Sequence, residues 1–213
     1  EQILSNHPKV YGGDELNFFN DLIKSNFYDQ NIFSLKYFNE DNTKKFIDIG
    51  NHYIKKVEIL SNKKYRVTDK LPINFKWIGF IKLIFPKSKI IHCTRNSKDT
   101  CSSIFKNLFT NPELNYAYKL EDLVKFYNLY GDLMNYWKNN LAEFIFEIKY
   151  EELIKKPKKT ISKLINNCQL DWDVSCMKFY NNKRPIKTAS DIQARNKIYS
   201  SSINSWKNYK KYF

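Results

Sequence analysis

The strongest constraint on this chain is the continuous apolar run Ile90-Ile91-His92-Cys93 inside Lys89–Thr94, which lies between stretches of helical periodicity. A strand with one wet face alternates apolar and polar residues. A continuous run marks a strand covered on both faces, as in a parallel sheet with crossover helices. The neighbouring stretches fit that reading. The spacing predicts a helix over Asn17–Ser25 and a second over Thr43–Leu60, with apolar residues at Phe46, Ile49, Tyr53, Val57 and Leu60. A short strand over Arg66–Asp69 leads through Pro72, suited to a first helical turn, into a helix over Ile73–Phe85. Ser97 and Asp99 fit the start of a helix over Lys98–Leu108. Tyr118–Leu141 is the clearest helix, with Leu120, Leu123, Val124, Tyr127, Tyr130, Met134, Trp137 and Leu141 on one stripe. Phe144–Tyr150 alternates as a strand does, and Lys158–Cys168 is again amphipathic. Strands alternating with helices predict an α/β fold with a mostly parallel sheet. Neither a repeat nor a linker interrupts the pattern, so residues 1–213 read as a single domain. The tail, Arg184–Phe213, is polar and aromatic and resists assignment.

Composition narrows the class. A content of 42% hydrophobic and 16% aromatic residues suits a folded core and argues against disorder. Membrane helices need about 20 apolar residues. The longest candidate, Ile78–Phe85, is far shorter and is broken by Lys82. The expectation is a soluble, cytoplasmic protein without a membrane span. The net charge of +14 suits nucleic acid, an anionic membrane or a phosphorylated small molecule, while a lysine-rich solvated surface accounts for it equally well. Cys93, Cys101, Cys168 and Cys176 form no C-x-x-C pair, so buried reduced thiols are expected rather than a zinc or redox site.

In a parallel α/β sheet, ligands gather beyond the carboxyl ends of the strands. Three stretches place polar residues there. Arg95 follows the apolar run directly, with Ser103 eight residues on; an arginine in that place can grip a phosphate through two parallel hydrogen bonds, or simply sit on the surface beside a helix cap. Lys70 follows the earlier strand and can act as a point charge, or form a plain salt bridge. His7-Pro8-Lys9-Val10-Tyr11-Gly12-Gly13-Asp14-Glu15 offers two glycines for an open turn and two carboxylates at a helix start. One carboxylate could serve as a general base; the other account is capping and compensation of the helix dipole. Spacing does not choose. Of the histidines, His92 lies in the apolar run and reads as a core residue, His7 before Pro8 reads as structural, and His52 lacks an evident acidic partner.

The ordered set resembles one family. It runs from Val67-Thr68-Asp69-Lys70-Leu71-Pro72-Ile73-Asn74-Phe75 through Phe85-Pro86-Lys87-Ser88 and Thr94-Arg95-Asn96 to Asp99 and Ser103. Tyr150-Glu151-Glu152-Leu153 follows, then Thr188-Ala189-Ser190, Gln193, Arg195, Tyr199, Ser202 and Trp206. Together these are similar to bacterial sulfotransferases related to tyrosylprotein sulfotransferases. The resemblance implies a P-loop-like parallel β-sheet flanked by helices. It implies transfer of a sulfuryl group from 3′-phosphoadenosine 5′-phosphosulfate (PAPS) to a hydroxyl acceptor, a protein tyrosine among the candidates, with no metal. On it, Arg95 and Ser103 match the pair that binds the 3′-phosphate. Glu15 matches the catalytic base, with Asp14 the neighbouring acid. Lys70 matches the lysine that steadies the transferring group, and Ser190 a serine that assists it. Tyr150 and the Tyr199–Trp206 segment match residues that enclose the nucleotide.

One departure accompanies the match. The family's Pro-Arg-Ser-Gly-Thr-type phosphate loop would precede Glu1, and no G-x-x-x-x-G-K-[ST] replaces it. The expectation is therefore a sulfotransferase domain whose N-terminal strand and phosphate loop are missing from the chain. Such a fragment would bind the donor poorly and be inactive alone. Glu1–His7 would be the end of the helix that follows the loop. Two rivals stand beside this reading: a basic nucleic-acid-binding module, against which the aromatics follow core periodicity, and an inactive family member acting as a scaffold. Nucleic acid is not expected as a partner, and a homodimer is left open.

Overall fold

The computed structural model describes residues 1–38, 42–182, 184, 196 and 198–212. Contacts gather into two compact units, Glu1–Ser88 with Asp171–Lys197, and Lys89–Leu170 with Ile198–Phe213. The architecture is mixed α/β, with parallel strands flanked by helices as the sequence predicts.

The first unit begins with α1 (Gln2–Ser5) and β1 (Val10–Gly12), a strand that the sequence pattern does not reveal. Helix α2 (Phe18–Phe27) follows, then a small antiparallel hairpin of β2 (Tyr28–Asp29) and β3 (Ile32–Phe33). The long helix α3 (Asn42–Ser61) returns the chain to β4 (Arg66–Thr68), which pairs with β1 in parallel, Val10 opposite Arg66 and Gly12 opposite Thr68. The helix expected over Ile73–Phe85 is two pieces. A 3-10 helix, Pro72–Trp77, precedes α4 (Ile78–Ile84). Trp77 forms the joint at φ −103° and ψ 9°. Its indole is buried and donates a 3.1 Å hydrogen bond to Asn20 Oδ1, which fixes the ring in the core.

That core is aromatic. Phe19, Ile23, Phe27, Ile49 and Trp77 are buried together. Phe38, Phe46 and Phe80 stack or tilt on Phe27 with ring centroids 4.9–6.0 Å apart. The predicted α3 stripe supplies Phe46, Ile49 and Tyr53, but Leu60 at its end is exposed.

Asp69 fastens the end of β4 to this core. Its carboxylate accepts from Tyr53 Oη at 2.9 Å and Asn74 Nδ2 at 3.2 Å, and from the backbone amides of Leu16 and Leu71. Burial outweighs these four donors and raises its pKa from 3.8 to about 6.

In the second unit β5 (Ile90–Thr94) and β6 (Ile145–Lys149) pair in parallel, with Ile90 opposite Ile145 and Thr94 opposite Lys149. Between them run α5 (Ser97–Phe105) and α6 (Leu120–Asn140); α7 (Tyr150–Lys155) and α8 (Pro157–Asn167) follow β6. Leu123, Met134, Ile148, Ile161, Leu164 and Ile165 are buried in this unit. Val124, on the predicted α6 stripe, is instead 44% exposed. The cysteines divide. Cys168 and Cys176 are buried as expected, but Cys93 is exposed and Cys101 only half-buried. No residue of β5 is fully buried and Cys93 is exposed, so its apolar run is not covered on both faces as the pattern implies. No helix among the described residues is long and apolar enough to cross a membrane.

Phe27→Ala should cost about 3–5 kcal/mol, because several rings would face the cavity it leaves; urea denaturation measures the loss. Asp69 binds more protons folded than unfolded between pH 3.8 and about 6. Its contribution to stability therefore falls as pH rises through that window and is level above it. Asp69→Asn should flatten the corresponding slope in melting temperature against pH.

Candidate functional site

Two clusters of polar side chains form, one in each unit. The first lies where β1 and β4 end. Because these strands are parallel, residues just beyond Gly12 and Thr68 emerge on the same edge. Gly13 N–H donates to Thr68 O at 2.8 Å, and a Cβ on Gly13 would stand 2.5 Å from that same oxygen. A side chain at Gly12 would meet Ser5 Cβ at 2.7 Å. The two glycines therefore serve close approach rather than an open turn. Asp14 follows at φ 62°, in the left-handed region that aspartate tolerates better than most residues. Its carbonyl accepts the Lys70 amide at 2.8 Å, so the two loops are tied through the backbone.

This tie sets the side chains. Lys70 Nζ donates to Glu15 Oε1 at 2.5 Å and lies 3.6 Å from Asp14 Oδ1. Lys70 and Glu15 are each more than a third exposed, while Asp14 is mostly buried. The arrangement holds an exposed carboxylate beside an ammonium. Lys70 meets Asp14 and Glu15 from β1's exit loop.

Behind the pair lies a contact set the sequence did not signal. The Glu1 carboxylate accepts from the Asp14 amide at 2.8 Å, Thr68 Oγ1 at 3.3 Å and Arg184 Nη2 at 3.0 Å. Arg184 Nη1 also donates to Gly12 O at 2.6 Å. His7 is structural, as its place before Pro8 suggests. Its Nδ1 accepts the Lys9 amide at 3.1 Å, which leaves Nε2 to donate to Asp171 O at 3.0 Å.

The second cluster lies where β5 and β6 end. Thr94 pairs with Lys149, so Arg95 and Tyr150, each the next residue, leave the ladder side by side. The Arg95 guanidinium stands over the Tyr150 ring, 5.5 Å from its centroid. Tyr150 Oη lies 2.8 Å from Ser202 Oγ and donates to Tyr199 O at 3.3 Å. Arg95 Nη2 donates to Ser202 O, and Arg95 Nε is buried without an acceptor among the described residues. Tyr199 is half-buried, and burial raises its phenol pKa. Ser103 is half-buried on α5, nearly two turns beyond the helix start, and its carbonyl accepts from Asn107 Nδ2. Ser190 lies outside the described residues.

The start of α5 differs from expectation. Asn96, not Ser97 or Asp99, caps the helix by accepting the Asp99 amide at 3.2 Å. Asp99 is 1% exposed and spends its carboxylate elsewhere. It accepts from the amides of Asn204 and Trp206 at 2.8 and 3.0 Å and from Ser205 Oγ at 3.2 Å. Burial raises the Asp99 pKa, but the Trp206 and Asn204 amides, Ser205 and Arg95 together bring it below the ordinary value. His92 keeps a core role: its Nε2 meets Tyr130 Oη, and burial lowers its pKa.

A buried guanidinium nitrogen with no acceptor among the described residues, next to a tyrosine and a strand end, fits an anion such as a phosphate ester. Comparison with known proteins identifies the family. A model described as the sulfotransferase family matches residues 1–174. A protein of Aquifex aeolicus (strain VF5), described as uncharacterized, is 31% identical over 227 aligned residues covering all of this chain. The chain spans 29% of that protein's length. Two solved structures share the fold. The sulfotransferase domain from the Synechococcus PCC 7002 olefin synthase has a TM-score of 0.65 at 14% identity, over 97% of this chain and 81% of that one. The sulfotransferase domain from the curacin biosynthetic pathway has a TM-score of 0.61 at 15% identity, over 97% of this chain and 84% of that one. The chain therefore belongs to the sulfotransferase family.

Proposed function

We propose that the enzyme to which this domain belongs transfers a sulfuryl group from PAPS to a hydroxyl acceptor, with a protein tyrosine as the first acceptor to test. The observation that carries the reading is the contact between Lys70 and Glu15 at the paired exits of β1 and β4. Glu15 takes the proton of the attacking hydroxyl as its oxygen bonds to sulfur. The bond from sulfur to the bridging oxygen breaks, and adenosine 3′,5′-bisphosphate departs with that electron pair. Lys70 offsets the charge that grows on the departing oxygen. Its ammonium is already shared with Glu15, so an anion arriving at Lys70 would draw it away and leave the carboxylate better able to accept a proton.

Arg95 is assigned to the 3′-phosphate of the nucleotide, with Ser103 beside it on resemblance alone. The Nε of Arg95, which has no acceptor among the described residues, supports this, because a phosphate oxygen would supply one. Tyr150 and Tyr199 are assigned to enclosing the nucleotide, and Ser190 to assisting Lys70. Residues 1–213 as one sulfotransferase domain, acting in the cytoplasm, belong to the same proposal.

Arg95→Ala should weaken binding of adenosine 3′,5′-bisphosphate about 10- to 100-fold, the worth of a charged hydrogen bond. Titration calorimetry reads this, and unchanged affinity would remove Arg95 from the site. Glu15→Gln should lower turnover of radiolabelled PAPS by about 10²–10⁴-fold with nucleotide affinity kept. Full turnover in that variant would move the base elsewhere, Asp14 first.

A further inference from the structure

The tail segment from Tyr199 to Trp206 touches the second unit at two places. Near Tyr199 and Ser202 it is held by Tyr150, and the Ser202 carbonyl faces Arg95. Near Asn204 to Trp206 it is held by one buried side chain, Asp99, which no assignment above uses. Asp99 is free for this because Asn96 already caps α5.

The geometry is that of a clasp. Asn204 has φ 59°, and it turns the chain into the 3-10 helix Ser205–Tyr212. The amides of Asn204 and Trp206 then point at one carboxylate, which also lies 3.9 Å from Arg95 Nη2. Lys98, on the same helix as Asp99, stands over the Trp206 ring at 4.5 Å and supports the tail from outside. Backbone amides grip a carboxylate harder than a neutral acceptor, since the acceptor is charged. Replacing that oxygen by an amide group would set a donor against donors.

We propose that Asp99 is a positioning residue for nucleotide binding: by holding residues 204–206 it keeps the Ser202–Tyr199 strap against Arg95 and Tyr150, and so fixes the guanidinium for its anion. The ligand half of this statement rests on the sulfotransferase reading; the clasp itself does not. Asp99 never touches the nucleotide. It acts through the tail, and its loss should therefore appear in donor binding rather than in the chemical step.

The test uses the full chain with Asp99→Asn, a second variant with Ser205→Ala, and a third ending at Ile203. Adenosine 3′,5′-bisphosphate is the probe, read by calorimetry, with amide hydrogen exchange followed by mass spectrometry. Asp99→Asn should weaken the nucleotide about 10- to 100-fold, and Ser205→Ala about 3- to 10-fold, as loss of charged and ordinary hydrogen bonds implies. The loss should appear in the donor KM more than in kcat. Exchange should quicken at residues 199–206 and stay slow in β5, β6 and α8. In the chain ending at Ile203, Asp99→Asn should cause no further loss of affinity, since the two changes remove one interaction. Unchanged nucleotide affinity in both point variants overturns the proposal. So does faster exchange spread evenly through the unit, which marks a merely structural role. Should Asp99→Asn fail to fold, Ser205→Ala decides by the same two readouts. If the unaltered chain binds no nucleotide, the assignment of Arg95 to the nucleotide fails first. Exchange at 204–206 then still separates a clasp from none, and no quickening in either variant overturns it.

Discussion

Two strands that run parallel leave their sheet at the same edge, and both polar clusters of this protein depend on that constraint. Gly12 opposite Thr68 puts the Glu15 loop beside Lys70; Thr94 opposite Lys149 puts Arg95 beside Tyr150. A slip of one residue in either ladder would turn every side chain to the opposite face and separate these groups. The first register is guarded sterically. Gly13 donates to Thr68 O so closely that no side chain fits, and any Cβ there would force the loops apart. The second register rests on side-chain burial, with Ile148 inside and Lys149 exposed.

Neither principal cation waits bare. Lys70 is held by two carboxylates, and Arg95 by the Ser202 carbonyl with Asp99 close by. On the proposed reading, ligand binding exchanges acceptors, and its free energy is a difference between two satisfied states. Arg95 Nε is the exception, since no acceptor for it lies among the described residues. A buried donor without an acceptor costs roughly 1–3 kcal/mol, and a ligand that supplies one recovers that cost. This places specificity in single atoms. The net charge of +14 can speed the approach of anions, but it does not distinguish them.

Much of the fold was legible. Period-3.6 patterns located α3, α6 and α8 within about two residues, and the apolar run located β5. Short elements were not. β1 has three residues, too few for any periodicity to register, and the β2–β3 hairpin shows only as an Asn-containing turn. The single helix expected after Pro72 failed at Trp77, because periodicity cannot tell a 3-10 turn from an α turn when one large ring dictates the joint. Val124 and Cys93 are apolar yet exposed, because buried positions are apolar far more reliably than apolar positions are buried.

In the candidate site, legibility followed sequence distance. Lys70 and Arg95 could be found from the strands that precede them, while Tyr150 entered only through the family resemblance. The groups that orient them could not. Glu1 meets Arg184, Tyr53 meets Asp69, and Asp99 meets Asn204, each across a separation that no local pattern spans. Asp99 shows why. An aspartate in a helix's first turn has an adequate local explanation in the helix dipole, and that explanation conceals any other. Only the structure shows the cap already supplied by Asn96, so that the buried carboxylate must answer to a different set of donors. A buried acid whose local duty is discharged by a neighbour has to be satisfied from elsewhere in the chain, and here the tail supplies the satisfaction.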